Sequence, residues 1–382
     1  MSILVFVREP TDLEKRCALL PDNVKAYKRL GATVKVESKI GQSLGFSDQH
    51  YTDAGAEVFT DRIEALSTAD ALLSVRPLPL EELEQTPQAC CSISFFDPFN
   101  SPQKIASLLK SKRSSISMEL IPRSTRCQKM DALSSQASLA GYVMVLKAMS
   151  NLHKILPMMM TPAGTLKPAK VFIIGAGVAG LQAIATAKRM GGSVIAYDTR
   201  PEVAQQVQSL GAKFLHIDLG ATESTDQGYA KALSPEQLVL QQQAQADCIA
   251  SSDIVITTAQ LFGRKPPLLI SNDVISRMKP GSVIVDMAAQ DGGNVEASIA
   301  GETVIYEAVK IIGDGDWAGE VALDASQMYA NNIQALVQDM WNSETSLFTV
   351  DVQDDMLQSA LVTYNGEVIN PILQSQYSKE TT

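Results

Sequence analysis

The sequence predicts an α/β protein of two domains, each built on a parallel sheet. Three observations carry that expectation. Short apolar runs alternate with helical patterns along most of the chain, as in βαβ units. The alternation comes in two series, joined by a long helical stretch over residues 134–156. The length of 382 residues suits two or three domains at ~150 residues each.

In order, residues 3–7 read as the first strand. Residues 21–30 read as a helix, with Pro21 at its start and Gly31 at its stop. Strands follow at 33–37, 71–75, 91–95 and 115–118, and Ser101-Pro102 signals a helix start. After the long helical stretch a second series runs 170–174, 193–197, 213–216, 253–257, 282–286 and 303–306. A second long helix is expected over 324–342. Beyond it, Asn365-Gly366 between alternating apolar residues signals a hairpin. This tail is expected to return to the first domain. The boundaries therefore read as 1–133 plus 343–382 for one domain and 134–342 for the other.

Composition excludes several classes. Apolar residues make up 45% and charged residues 19%, which is ordinary for a globular chain and wrong for a disordered one. Thirty-two basic against forty-two acidic residues give a net charge of −10. With no basic stripe, no nucleic-acid partner is expected. The most apolar stretch, 142–160, is interrupted by Lys147, His153, Lys154 and Pro157, so no direct membrane insertion is expected. The apolar run at the N-terminus is short and lacks a basic flank, unlike a signal peptide. Cys17, Cys90, Cys91, Cys127 and Cys248 have no CxxC spacing, which reads as reduced thiols and a cytoplasmic location. His50, His153 and His216 lie far apart, so no metal site is expected.

The most informative segment spans 170–190. Gly175, Gly177 and Gly180 stand in GxGxxG spacing between an apolar strand and an Ala-rich helix. Gly175 permits the tight turn, Gly177 lets a pyrophosphate approach the backbone, and Gly180 allows close helix–strand packing. Asp198 ends the next strand, 18 residues beyond Gly180, near the ~20 expected of a ribose-binding acid. A carboxylate there accepts from the 2′-OH and repels a 2′-phosphate, favouring NAD over NADP. Arg200, two residues on, pulls the other way, because an Arg nearby can hold the phosphate. Val178, Thr199 and Arg200 complete the expected nucleotide contacts, with Ala259, Gln260 and Leu261 after the 253–257 strand. The alternative is a glycine-rich turn without a ligand.

Further stretches carry a family resemblance. They are Met130-Asp-Ala-Leu-Ser-Ser-Gln136, Leu139-Ala-Gly-Tyr142, Pro157-Met-Met-Met-Thr161, Ala163-Gly-Thr165, Lys279-Pro-Gly-Ser-Val-Ile284 and Gly292-Gly-Asn294. With the glycine turn, they resemble the NAD(H)-binding component of proton-translocating transhydrogenase, in the wider family that includes alanine dehydrogenase. The resemblance implies two Rossmann-like domains with parallel sheets and the cofactor in the cleft between them. It implies a homodimer bound to a membrane-embedded proton-channel subunit and to a separate subunit that binds NADP(H). It implies direct hydride exchange between the two nicotinamides, in a cytoplasmic protein held at the inner face of the membrane through its partners. Because this chain stops after the NAD-binding region, the membrane and NADP-binding regions are expected on separate subunits.

By the same resemblance, Arg123, Gln128, Asp131 and Ser134 surround the nicotinamide and its ribose, with Gln128 and Asp131 the catalytic candidates. Arg123 and Asp131 are chemically suited to clamp each other and the carboxamide. Read from the residues alone, the segment is more readily an ion-paired helix start with Ser134 as its cap. Gly228 and Tyr229 match a mobile loop that closes on the nucleotide. The polar run 220–228 has no apolar periodicity, and the other reading is an exposed Tyr on a loop.

Two alternatives stand beside this reading. The first is an alanine dehydrogenase-like enzyme, whose relatives use a Lys after the fourth strand, a His after the fifth and an Asp before the Gly-Gly pair. Here those regions read Leu73-Ser-Val-Arg-Pro-Leu78, Ser94-Phe-Phe-Asp-Pro98 and Ala289-Gln-Asp-Gly-Gly293. Lys and His are missing, and Gln290 takes the Asp position beside Asp291. Only Arg16 matches a substrate-binding Arg. The second alternative is a non-catalytic NAD-binding homologue. Segments 95–100 and 313–320 depart from the transhydrogenase pattern.

Overall fold

The structure, a computed structural model, describes residues 1–10, 13–217, 235–260 and 263–377. The chain divides into two compact units, 1–136 with 319–382 and 137–318. In chain order the first unit supplies β1 (Ile3–Phe6), β2 (Thr33–Glu37), β3 (Glu57–Phe59), β4 (Ala71–Leu73), β5 (Cys91–Ser94) and β6 (Ser114–Ser117). The second supplies β7 (Met159–Thr161), β8 (Gly164–Leu166), β9 (Lys170–Ile174), β10 (Ser193–Tyr197), β11 (Lys213–Phe214), β12 (Ile254–Thr257), β13 (Val283–Asp286), β14 (Thr303–Tyr306) and β15 (Val309–Ile312). The chain then returns to the first unit with β16 (Trp341–Asn342), β17 (Leu347–Phe348), β18 (Leu361–Tyr364) and β19 (Glu367–Val368).

The first unit's sheet has the order β19-β18-β6-β5-β4-β1-β2-β3. Strands β1 to β6 are parallel, and the returning β18 and β19 pair antiparallel at one edge. Both faces are covered, which explains the continuous apolar runs. Leu4 and Phe6 enter the core on one face, and Val5 and Val7 enter a second core on the other. Cys91 and Cys90 divide the same way. Burial pushes the Cys90 thiol up to about 12, so this vicinal pair is chemically quiet.

One boundary differs from the sequence reading. The helix Ala322–Asp339, expected in the second domain, belongs to the first unit. Its Tyr329, Ile333, Leu336 and Val337 are fully buried in that unit's core. Tyr329 stacks on Phe95 at 4.9 Å and donates to the Ser74 carbonyl at 2.9 Å. The other boundary falls at 136/137, inside the helix Ala132–Asn151, which ends five residues before the expected 156.

The second unit's sheet has the order β11-β10-β9-β12-β13-β15-β14. All neighbours are parallel except β14 with β15. The register aligns Tyr197 with Ile174, Ile174 with Thr257, and Thr257 with Asp286. The residues that follow these four strands therefore leave the same edge of the sheet together. Below that edge, Asp253 is anchored by Lys154 at 2.8 Å, Lys279 at 3.1 Å and the Lys170 amide at 2.8 Å. Strand β15 has no counterpart in the sequence reading.

If the helix Ala322–Asp339 is integral to the first unit, truncating its buried Leu336 to Ala should cost ~2–5 kcal/mol of stability. Equilibrium urea unfolding checks this, and an unchanged midpoint would contradict it.

Candidate functional site

The second unit's strand ends carry the glycine turn. Gly175 has φ of +100°, in the left-handed region. A Cβ there would also meet the Thr258 hydroxyl, and one at Gly180 would run into the Gly175 carbonyl. Both glycines are thus required by the protein itself. Gly177 is different. Its φ of −78° and ψ of −166° suit any residue, and nothing lies within 4 Å of where its Cβ would be. No protein neighbour explains this glycine. It sits at the N-terminal cap of the helix Val178–Arg189, where free N–H groups and the helix dipole favour an anion. Val178 is 41% exposed at the same end. A pyrophosphate close to the backbone is what a missing side chain here would admit, so the residues fit that group.

Asp198 follows β10. Its Oδ2 accepts from the Ala176 amide at 2.7 Å and Arg200 Nη2 at 3.0 Å. Its Oδ1 accepts from the Arg200 amide at 2.9 Å and Nε at 3.0 Å. Burial raises this carboxyl, but Arg200 and the two amides outweigh it and hold it below the ordinary range. The Asp198 acceptor sites are thereby occupied. The two ribose hydroxyls, one donor each, would take the place of the two Arg200 side-chain bonds, and Arg200 is exposed enough to swing away. Thr199 is exposed beside them.

The third strand end is fastened from within. Asn294 is fully buried, and its Nδ2 donates to the carbonyls of Ala259 at 3.0 Å and Pro267 at 2.9 Å. Its amide donates to Asp286 Oδ2 at 3.0 Å, and Asp286 also accepts from Thr257 Oγ1 at 3.2 Å and the Ala288 amide at 3.1 Å. In the sequence Asn294 stands out only within a motif, and Asp286 does not stand out at all. The available signal is Gly293, whose Cβ would press on Asp286 Oδ2 at 2.8 Å. Gln260 is exposed, and its Nε2 donates to Asp291 at 3.1 Å. Leu261, Gly228 and Tyr229, with the polar run around them, lie outside the described residues.

The remaining candidates belong to the first unit. Cys127 and Met130 are buried in its core and pin a short 3₁₀ turn, Gln128–Met130. Gln128 stays exposed, and its side chain has no hydrogen bond among the described residues. Asn332 holds this turn by donating to the Lys129 carbonyl at 2.8 Å, and it accepts from Ser135 Oγ at 2.7 Å. The expected Arg123–Asp131 clamp is not formed. Arg123 is exposed without an ion pair among the described residues. Asp131 instead caps the helix Ala132–Asn151, accepting from the Ser134 amide at 2.8 Å and hydroxyl at 2.6 Å. The cap is thus Asp131, and Ser134 is its donor.

The regions that carry Lys and His in the dehydrogenases are tied down by acids. Glu9 accepts from the Val75 amide at 2.6 Å and the Arg76 amide at 3.2 Å. Glu119 accepts from the amides of Phe96 at 3.2 Å and Asp97 at 2.9 Å, and from Ser117 Oγ. Burial pushes both carboxyls up to about 7. Arg16, the retained match to a substrate-binding Arg, donates to Glu14 at 2.7 and 2.8 Å and to Gln136 at 2.8 Å, and lies over the Phe95 ring at 5.8 Å. Gln290 reaches the Asp314 carbonyl at 3.5 Å.

An open parallel sheet with a glycine turn after its first strand and an acid ending the next defines a Rossmann-type α/β unit. Family models extend this to the whole chain. The N-terminal domain of Alanine dehydrogenase/PNT matches residues 5–140 and the C-terminal domain matches 144–371, so the chain belongs to that family. It is 36% identical to the first component of NAD(P) transhydrogenase subunit alpha from Rickettsia prowazekii, over 99% of both chains. Against the protein of the same name from Rhodospirillum rubrum it is 38% identical, over 95% of this chain and 96% of that one. The crystal structure of a transhydrogenase from Sinorhizobium meliloti superposes with a TM-score of 0.86 at 39% identity, covering 96% of this chain and 100% of that one. An alanine dehydrogenase from Staphylococcus saprophyticus is 26% identical, over 78% of this chain and 74% of that one. Within the family the chain is a transhydrogenase component.

Gly177→Ala should change stability by less than ~0.5 kcal/mol while sharply weakening NADH binding. Gly180→Ala should cost ~1–3 kcal/mol or more through overpacking. Urea unfolding paired with NADH fluorescence separates the two, and equal effects on both variants would remove the ligand explanation for Gly177.

Proposed function

We propose that this chain binds NAD(H) and exchanges hydride directly with NADP(H) bound on a partner subunit, as the peripheral component of a proton-translocating transhydrogenase. The observation that carries this reading is that the groups and loops of the amino-acid site are already engaged. Dehydrogenation of an amino acid needs a protein group to move a proton and a cation to hold a carboxylate. Here the two loops that would supply Lys and His are fastened by Glu9 and Glu119, and Arg16 is spent on Glu14 and Gln136. Exchange between two nicotinamides needs positioning and exclusion of water, and no protein acid or base.

In this reading the amides after Gly175 and at the start of the helix Val178–Arg189 bind the pyrophosphate. Asp198 takes the ribose hydroxyls once Arg200 moves aside, with Val178, Thr199, Ala259, Gln260 and Leu261 around the nucleotide. Gln128, Asp131, Ser134 and Arg123 orient the nicotinamide end, and Gly228 and Tyr229 close over it. The bound cofactor supplies the hydride. The chain orients it and keeps water out.

The partners are the NADP-binding subunit, the membrane-embedded proton-channel subunit and a second copy of this chain. The proposed location is cytoplasmic, at the inner face of the membrane through those subunits. In support, no helix among the described residues is long and apolar enough to cross a membrane. The hairpin β7–β8 leaves Met158 61%, Met160 72% and Leu166 54% exposed, and we assign it to the homodimer contact. Sedimentation should then find Met160→Asp shifted toward monomer, whereas an unshifted dimer would move the contact elsewhere.

Adding the NADP-binding subunit should produce NADH-dependent reduction of an NADP analogue, while pyruvate with ammonium should leave NADH unconsumed. Consumption with pyruvate and ammonium would instead identify an alanine dehydrogenase. In the same assay Asp198→Ala should weaken NADH binding and relax discrimination against NADPH. Unchanged selectivity would remove Asp198 from the ribose site.

A further inference from the structure

The first unit contains a polar cavity of about 240 Å³, separate from the glycine turn and lined by Arg8, Glu9, Glu14, Arg16, Lys39, Gln42 and Ser43 among others; the Glu14 carboxylate there is neutralised by its pairing with Arg16 and Arg76. It opens where β1 and β2 end, at the carboxyl edge where open α/β sheets bind ligands. At this size it lies below the ~300–1,000 Å³ typical of drug-sized ligands. Its occupant is therefore smaller than a nucleotide.

Two of its cations are uncommitted. Arg8 and Lys39 have no ion pair among the described residues, although both line this cavity. The side chains of Gln42 and Ser43 have no hydrogen-bond partner among the described residues either. Arg16 contributes charge, but its fork is committed to Glu14 and Gln136. Recognition would therefore fall to Arg8 and Lys39, which are not part of the Arg16 substrate arrangement of the dehydrogenases.

Lys39 carries a second sign. It adopts a φ of +70°, a left-handed conformation that favours Gly or Asn and costs an ordinary side chain ~1–2 kcal/mol. The turn is held by Asp48, which accepts from the Lys39 amide and from Ser38 Oγ, both at 2.6 Å. A lysine kept in a glycine conformation is a strained residue at the mouth of a cavity, the pattern expected where the side chain has a task.

We propose that this cavity is a binding site for a compact dianion of the dicarboxylate or phosphate kind, held by the Arg8 fork and the Lys39 ammonium, with Gln42 and Ser43 as neutral donors. The site is independent of the nucleotide reading, since none of its residues belongs to the glycine turn or to the segment around Gln128. Glu9 makes binding pH-dependent. It faces Glu14 and Arg16 of its own loop, the Val75 and Arg76 amides, and at longer range Cys17 and Tyr329. A bound anion favours its neutral form, so affinity for malonate, already doubly ionised there, should fall as pH rises through about 7.

The test is calorimetric titration of the full chain with malonate, inorganic phosphate and acetate at matched ionic strength, with the parent protein, Arg8→Ala and Lys39→Ala. Both side chains are exposed, so the variants should fold as the parent does, which circular dichroism checks. Saturable binding of malonate or phosphate, weakened about tenfold or more in each variant, supports the site, and the stronger of the two identifies the dianion. Acetate should bind more weakly than either. The proposal is overturned if neither dianion outbinds acetate, or if both variants bind as the parent does. Glu9→Gln should flatten the pH dependence of malonate binding, and a malonate profile unchanged by that substitution removes Glu9 from the site.

Discussion

The carbonyl of Gly175 lies where a Cβ on residue 180 would have to be. That close approach lets the helix Val178–Arg189 start directly over the end of β9, and the second unit's candidate site depends on it. With the helix seated there, its first N–H groups open at the carboxyl edge of the sheet. The shared register of β10, β9, β12 and β13 then delivers Asp198, Thr258 and Met287 to the same edge without any long loop having to find its place. Asp198 ties the arrangement together by accepting from the Ala176 amide inside the turn. The acid expected to read a ribose is also a structural member of the turn that would hold the phosphates.

The first unit uses buried acids for the same end. Glu9 leaves β1 to hold the loop after β4, and Glu119 leaves β6 to hold the loop after β5. Each carboxyl crosses to the neighbouring strand and takes two amides that the sheet leaves unpaired, which is how a buried loop satisfies its backbone. Glu14 does comparable service for Arg16 and Arg76. Loops held in this way suit a component that orients a cofactor. An enzyme that must admit an amino acid and shuttle its proton needs free groups at these positions.

What is legible in the sequence follows from how local each signal is. The glycine turn, the apolar strands and the hairpin at Asn365-Gly366, with φ of 50° and 88°, are written in neighbouring residues. Strand β15 is hidden because the turn before it is made by Glu307 and Ala308, at φ of 45° and 64°, with neither Gly nor Asn to mark it. The allegiance of the helix Ala322–Asp339 is hidden because its buried face reads the same in either core, and only tertiary contacts such as Tyr329 reaching Ser74 and Phe95 and Asn332 reaching Lys129 decide it. Complementary charge suggests Asp131 and Arg123 as partners. The helix start competes for Asp131 more effectively, since the cap lies three residues away with its donors already in place.

The same competition bears on Asp198 and Arg200. Sequence spacing sets them against each other, one favouring a ribose hydroxyl and the other a phosphate. In the structure they are partners, and Arg200 supplies two side-chain bonds to the carboxylate. Arg200 thus keeps a half-buried carboxylate satisfied while no hydroxyl is there to do so, which lowers the desolvation cost of holding that acid in a turn. The two hydroxyls of a ribose, one donor each, would replace bonds of equal number, so the pair would exchange partners with little net loss. A 2′-phosphate would have to leave Asp198 charged beside it, because the Ala176 amide holds the carboxylate in place whatever Arg200 does. In the proposed reading, discrimination would therefore rest on the backbone bond to Ala176 more than on the identity of the residue at position 200.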